Sequence, residues 1–80
     1  SNYMIQALTP VDDFNEFFDS TLSEDEFDTI GGIITNKFGR LPKRNESISF
    51  DGFTFHVTHS DNRRLHTVRM SIDNEDSAED

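Results

Sequence analysis

Apolar residues along this 80-residue chain recur first at helical spacing and then in alternation. From Tyr3 to Leu8 a short β-prone run leads into Thr9-Pro10, where a hydroxyl followed by proline at the first helical position marks a helix start. The stripe that follows carries Val11, Phe14, Phe17 and Phe18 at three- and four-residue steps, with Asp12, Asp13 and Glu16 on other faces. Asp19 to Leu22 interrupts the pattern. Ser23 then stands three residues before Glu26, the spacing of a capping box, and a second helix is expected from there. Phe27, Ile30, Ile34 and Phe38 continue its stripe, Ile33 lies beside it, and Gly39 followed by Pro42 stops it.

Gly31 and Gly32 fall inside this second helix, where each costs about 1 kcal/mol relative to alanine. The expected return is close approach. Without a Cβ, Gly31 lets the helix backbone lie directly against a strand or the first helix.

Beyond Asn45 the period becomes that of strands. Ile48 and Phe50 precede Asp51-Gly52, a dipeptide suited to a two-residue hairpin turn, and Phe53, Phe55 and Val57 then alternate with Thr54, His56 and Thr58. Ser60-Asp61-Asn62 marks another turn. Leu65, Val68, Met70 and Ile72 form the last strand, and the change of phase between Leu65 and Val68 predicts a bulge or bend. The predicted order is β-α-α-β-β-β: an α+β domain with two helices on one face of a small, mostly antiparallel four-stranded sheet. Residues 1–72 form this domain, and residues 73–80, acidic and nearly without apolar side chains, are expected to be a disordered tail.

Composition narrows the function classes. A chain of this length supports one core, and eight phenylalanines supply much of it. The absence of cysteine removes disulfides, thiolate metal sites and thiol catalysis. The apolar runs are far short of the ~20 residues a membrane span needs. The chain opens on Ser1 rather than Met and is expected to be a piece of a longer protein.

The net charge of −9 is unevenly distributed, with eight acids and no Lys or Arg in residues 1–36 and all seven basic residues in 37–72. Nucleic acid and anionic membrane surfaces are poor partners for such a chain, since Lys and Arg contacts to phosphate dominate those affinities.

The candidate chemistry is sparse. His56 and His59, three apart on a strand, are expected on opposite faces, and His66 across from His56 would still need carboxylate help, so no metal site is predicted. Asp12, Asp13 and Glu16, and the run Glu24, Asp25, Glu26 and Asp28, lack the spacing of a calcium loop and suit helix N-termini. Lys37, Arg40, Lys43 and Arg44 complement the negative end of the second helix, and they are also candidates for docking an acidic neighbour. No nucleophile elbow, carboxylate pair or glycine-rich phosphate loop is present, so neither catalysis nor a cofactor is expected.

Five short motifs together resemble the CorC/HlyC transporter-associated domain. They are Thr9-Pro10 with Asp13 and Asn15; Asp28-Thr29-Ile30-Gly31-Gly32; Gly39-Arg40-Leu41-Pro42; Asp51-Gly52-Phe53 with Phe55 and Val57; and Arg63-Arg64-Leu65 with Val68-Arg69. The resemblance implies the C-terminal, cytoplasmic domain of a bacterial inner-membrane protein of the magnesium and cobalt efflux or haemolysin-like kind. It further implies membrane and nucleotide-sensing CBS domains in the same chain as partners, and a fold similar to that of FAD-binding oxidoreductase lobes; the separation of charge along the chain makes a second copy another candidate partner. The expected function is non-catalytic regulation through protein contacts. The alternative is a small-ligand module for FAD, a nucleotide or a divalent cation.

Overall fold

Alternation decides which side chains the sheet buries. In the computed structural model, which describes residues 2–73, the strands are β1 (Asn2–Gln6), β2 (Ser47–Phe50), β3 (Phe53–Ser60) and β4 (Leu65–Ile72), and the helices are α1 (Val11–Phe18) and α2 (Ile30–Phe38). The strands form one antiparallel sheet in the order β1-β4-β3-β2. The first strand therefore pairs with the last, Ile5 opposite Val68 and Tyr3 opposite Met70. Phe53, Phe55, Val57, Val68 and Met70 are buried on one face, against Val11 and Phe14 of α1 and Ile30, Ile33 and Ile34 of α2. This is the predicted α+β architecture.

Aromatic rings fill the space between α1 and the sheet. Phe14 stands edge-on to Phe53, with ring centroids 5.4 Å apart, and Phe50 stacks on Phe55 at 5.1 Å. Such contacts are worth roughly 0.5–1.5 kcal/mol each beyond the area they bury. Phe17 touches only the rim of this cluster, edge-on to Phe18 at 4.8 Å, and is not buried as its stripe predicted. It is 76% exposed, because Val11, Phe14 and Phe18 complete the core face of a helix this short.

Both helix starts differ from expectation. Thr9 does not cap α1: Pro10 occupies the cap position with extended backbone, and no side chain caps the helix. The Val11 N–H instead donates to the Asp28 carbonyl at 2.9 Å, and the Ile30 N–H donates to the Thr9 carbonyl at 2.9 Å, tying the two helix starts together as a short antiparallel bridge. The second helix begins at Ile30, not near Ser23. Thr29 is its cap, its hydroxyl accepting from the Gly32 N–H at 3.2 Å, while the Ser23 hydroxyl accepts only from the Asp25 N–H. Phe27 thus lies before α2 rather than on its stripe. Asn15 holds the intervening loop: its amide donates to the Leu22 carbonyl and its carbonyl accepts from the Leu22 N–H, each at 2.9 Å.

The hairpin and the bend are where the pattern put them. Asp51 and Gly52 have φ of 54° and 87°, the left-handed pair of a tight hairpin turn. The register of β3 against β4 shifts around Thr58 and His66, which is how Leu65 and Val68 both come to face the core. Asp73 closes the far end of the sheet, its N–H donating to the Gly52 carbonyl at 2.8 Å. The remainder of the expected tail, residues 74–80, lies outside the described residues.

Candidate functional site

A groove of about 580 Å³ runs beside the start of α2. Gly31 and Gly32 line it together with Ala7, Leu8 and Leu65, Phe27 and Leu41 contribute further apolar surface, and Thr29, Thr35 and Asn36 add uncharged polar groups. A Cβ on Gly31 would sit 2.7 Å from Ala7 Cβ, and one on Gly32 would sit 3.2 Å from the Phe27 ring. The close approach expected of Gly31 is therefore present, but its neighbour is the turn after β1, where the Gly31 N–H donates to the Ala7 carbonyl at 2.8 Å. That turn closes through the Thr9 N–H and the Gln6 carbonyl and leaves Leu8 70% exposed at its corner.

Three arginines, Arg40, Arg63 and Arg64, border the groove, and among the described residues no aspartate or glutamate lines it. In a chain with 16 acids and seven basic residues, this is a local reversal of sign. Arg63 and Arg64 are presented by a turn built around Asp61. Its carboxylate accepts from the backbone N–H groups of Arg63 at 2.7 Å and Arg64 at 2.9 Å, and pairs with His66 Nε2 at 2.8 Å. The His66 contact and the two N–H donors hold the Asp61 carboxyl well below the usual carboxylate range. Asp61 is thus committed to the turn, and among the described residues neither guanidinium of this pair has a carboxylate partner.

Arg40 is different. Its guanidinium meets both oxygens of Glu46 as a bidentate pair, which raises its own pKa, and its charged carbon lies 5.7 Å from the Phe38 ring centre. Glu46 also accepts from the Lys43 N–H at 2.7 Å. The Arg40 hydrogen bonds, followed by that N–H, lower its pKa to about 2.

The four basic residues singled out in the sequence do not line a common hollow. Lys37 lies with its ammonium 5.2 Å from the Phe50 ring centre, Arg40 belongs to the groove, and Arg44 borders a separate hollow with His59 and His66. Among the structural motif residues, Gly39 ends α2 in the left-handed region at φ 78°, and Pro42 is buried, its carbonyl accepting from the Ser60 hydroxyl at 2.7 Å. Asp28 acts through its backbone carbonyl at the helix bridge. In the sequence Arg63 and Arg64 stand out only as part of a motif, and their adjacency to the Asp61 turn is the signal that places them at a site.

The histidines are also rearranged. His56 pairs with Arg69 and His59 with Thr67, and Arg69 and Thr67 are two apart on β4, so the shift at Thr58 brings His56 and His59 to the same, outer face. His66 faces Asp61, not His56. Each outer-face histidine is held by a hydroxyl: Ser47 at 2.9 Å from His56 Nδ1 and Thr67 at 2.9 Å from His59 Nδ1. Among the described residues no group of three or more His, Cys, Asp or Glu side chains converges as a metal site.

This architecture recurs in solved structures of transporter-associated domains. The CorC-associated region from Neisseria meningitidis MC58 superposes with a TM-score of 0.86 at 41% identity, over 89% of this chain and 88% of that one. A CorC_HlyC domain from a Xylella fastidiosa hemolysin, in complex with Mg++ and Mn++, shares the fold at a TM-score of 0.78 and 18% identity, over 89% of this chain and 86% of that one. The family model for the transporter associated domain CorC_HlyC matches residues 1–74, and the chain belongs to that family. Magnesium and cobalt efflux protein CorC of Pasteurella multocida is 43% identical over 77 residues, 96% of this chain and 26% of that protein. The protein of the same name from Escherichia coli K12 is 43% identical over 70 residues, 88% of this chain and 24% of its own length. The chain thus spans about a quarter of the length of these relatives. No helix among the described residues is long and apolar enough to cross a membrane.

Proposed function

We propose that this chain is a non-catalytic accessory domain of a divalent-cation efflux protein, and that it regulates transport through contacts with other parts of that protein. The observation that carries this reading is the 43% identity to a magnesium and cobalt efflux protein about four times as long. On this reading the domain lies on the cytoplasmic side of a bacterial inner membrane. Its partners are the membrane and CBS portions of the same chain, together with a second copy. A transporter-associated domain of similar fold comes from a CBS domain protein of Porphyromonas gingivalis, which supports the CBS partner. Lys37 and Arg44, on separate parts of the surface, are contact candidates that leave the Arg40–Glu46 pair untouched.

A transport assay on the full-length protein tests the reading. Lys37→Glu with Arg44→Glu should change efflux without changing the melting temperature of the domain, and unaltered transport would remove these residues from the mechanism. In calorimetry, Mg²⁺, Co²⁺, ATP and FAD should each bind no tighter than about 100 μM. Micromolar binding of any of them would instead promote the small-ligand reading.

That second reading has one specific motive, the Mg++ and Mn++ held by the Xylella fastidiosa domain. The acids on this chain available for it are Asp12, Asp13 and Glu16 on α1 and the run from Glu24 to Asp28. They do not gather into a three-ligand group among the described residues.

A further inference from the structure

The groove beside α2 has a sign and a shape that define its occupant. Its lining is mostly apolar, with the uncharged polar residues Thr29, Thr35 and Asn36 among it, the charged residues that border it among the described ones are all arginines, and the chain as a whole is acidic. Arginine takes carboxylates as well as phosphates through paired N–H donors, so charge alone leaves both open. The backbone decides between them. A phosphate cradle needs free N–H groups at a glycine-rich turn, but the Gly31 N–H is given to the Ala7 carbonyl and the Gly32 N–H to the Thr29 hydroxyl. What remains is an apolar channel with side-chain guanidiniums at its border, the recognition elements of an acidic peptide with an apolar anchor.

We propose that this groove receives an extended acidic segment carrying at least one large apolar side chain, supplied by the rest of the longer protein. This rests on the accessory-domain reading and specifies its contact. The apolar side chain lies over Gly31 and Gly32, between Leu8 and Leu41, and the carboxylates meet Arg63 and Arg64. Three features prepare the site before the partner arrives. The Asp61 turn fixes both arginine backbones, Glu46 fixes Arg40, and the turn from Gln6 to Thr9 already presents Leu8 to solvent. Preorganised contacts of this kind lose less freedom on binding than mobile ones. Relatives about four times as long as this chain supply ample polypeptide from which such a segment would come.

Titration of the isotopically labelled 80-residue chain by NMR tests the proposal. The probes are the peptide Asp-Glu-Leu-Phe-Glu-Asp, its uncharged counterpart Asn-Gln-Leu-Phe-Gln-Asn, inorganic phosphate and ATP. The acidic peptide should give saturable shifts at the amides of Leu8, Gly31, Gly32, Arg63 and Arg64, and the uncharged one should bind at least about tenfold more weakly, the loss expected of a charge-assisted contact. Arg63→Gln with Arg64→Gln should weaken the acidic peptide by about the same factor. Leu8→Ser, at an exposed corner, should weaken it while leaving the spectrum of the free domain folded. Equal binding of both peptides, shifts confined to another surface, or no saturation would overturn the proposal. Tighter binding of phosphate or ATP at the same amides would also overturn it, in favour of a small anion. Failure of the parent domain to bind the acidic peptide, with efflux still sensitive to Lys37 and Arg44, would remove the groove and keep the accessory-domain reading; micromolar ATP would remove both.

Discussion

Gly31 donates its N–H to the Ala7 carbonyl at 2.8 Å, and a side chain on Gly31 would begin 2.7 Å from Ala7 Cβ. The bond and the missing side chain depend on each other, since a methyl group would push the helix away from the carbonyl it is bonded to. Gly31→Ala should therefore destabilise the domain by roughly 1–3 kcal/mol despite the better helix propensity of alanine, and Gly31→Leu by at least as much. Gly32→Ala should cost less, because its neighbour is the Phe27 side chain at 3.2 Å rather than backbone. Chemical denaturation of the three variants checks the order, and an unchanged Gly31→Ala midpoint would refute the close-approach account.

Asn15 provides a second test. Its amide bonds both the N–H and the carbonyl of Leu22, and its oxygen also accepts from the Ser20 hydroxyl at 2.8 Å. Asn15→Ala should lower stability by about 1–3 kcal/mol, the cost of leaving partly buried polar groups without partners. Asn15→Asp keeps the acceptor and loses the donor to the Leu22 carbonyl, so it should fall between alanine and the parent in a urea titration.

Gly39 isolates backbone strain from packing. Its φ is 78°, yet nothing lies within 4 Å of where a Cβ would be. Gly39→Ala should then cost only the left-handed penalty, about 1–2 kcal/mol, and Gly39→Asn less. A larger loss on calorimetric melting would show that the α2 terminus makes contacts beyond its own cap.

Acid should act through Glu46 and Asp61. Both carboxyls are depressed in the folded state, Glu46 to about 2 from an ordinary 4.5. Because their folded pKa values lie below the unfolded ones, their contributions are fully present above about pH 5. That of Glu46 is lost as pH falls toward 2, and that of Asp61 fades on further acidification. Glu46→Gln should flatten the dependence of melting temperature on pH between about 5 and 2. A variant as acid-sensitive as the parent in that window would exclude the Arg40 pair as a source.

Much of the fold was legible because each element declares itself within a few residues. Phe53, Phe55 and Val57 alternate as a strand must, Asp51-Gly52 is a turn by chemistry, and Gly39 ends a helix by its lack of a Cβ. Helix starts were not legible. The capping-box spacing of Ser23 and Glu26 competes with the bridge between Thr9 and Ile30, and that bridge joins residues far apart in sequence. The same limit applied to the site. Runs of basic residues at 37–44 stood out along the chain, whereas the groove gathers Leu8, Gly31 and Arg64 from three separate segments. The histidine faces failed for a related reason: strict alternation assigns opposite sides to His56 and His59, and the register shift at Thr58 overrides it.

The adjacency of β1 and β4 also orders events in time. β1 spans Asn2–Gln6, yet among the described residues its strand partner is Leu65–Ile72. During synthesis the hairpin of β2 and β3 and both helices emerge before the first strand has anything to bond. Closing that loop is an entropic cost paid late, and non-local pairing of this kind slows folding. Until Ile72 leaves the ribosome, Ile5 and Ala7 have no sheet to lie against, and the groove that Ala7 helps to wall does not exist. The recognition surface is thus completed by the last strand, so an interrupted chain would display its arginines without the channel that gives them specificity.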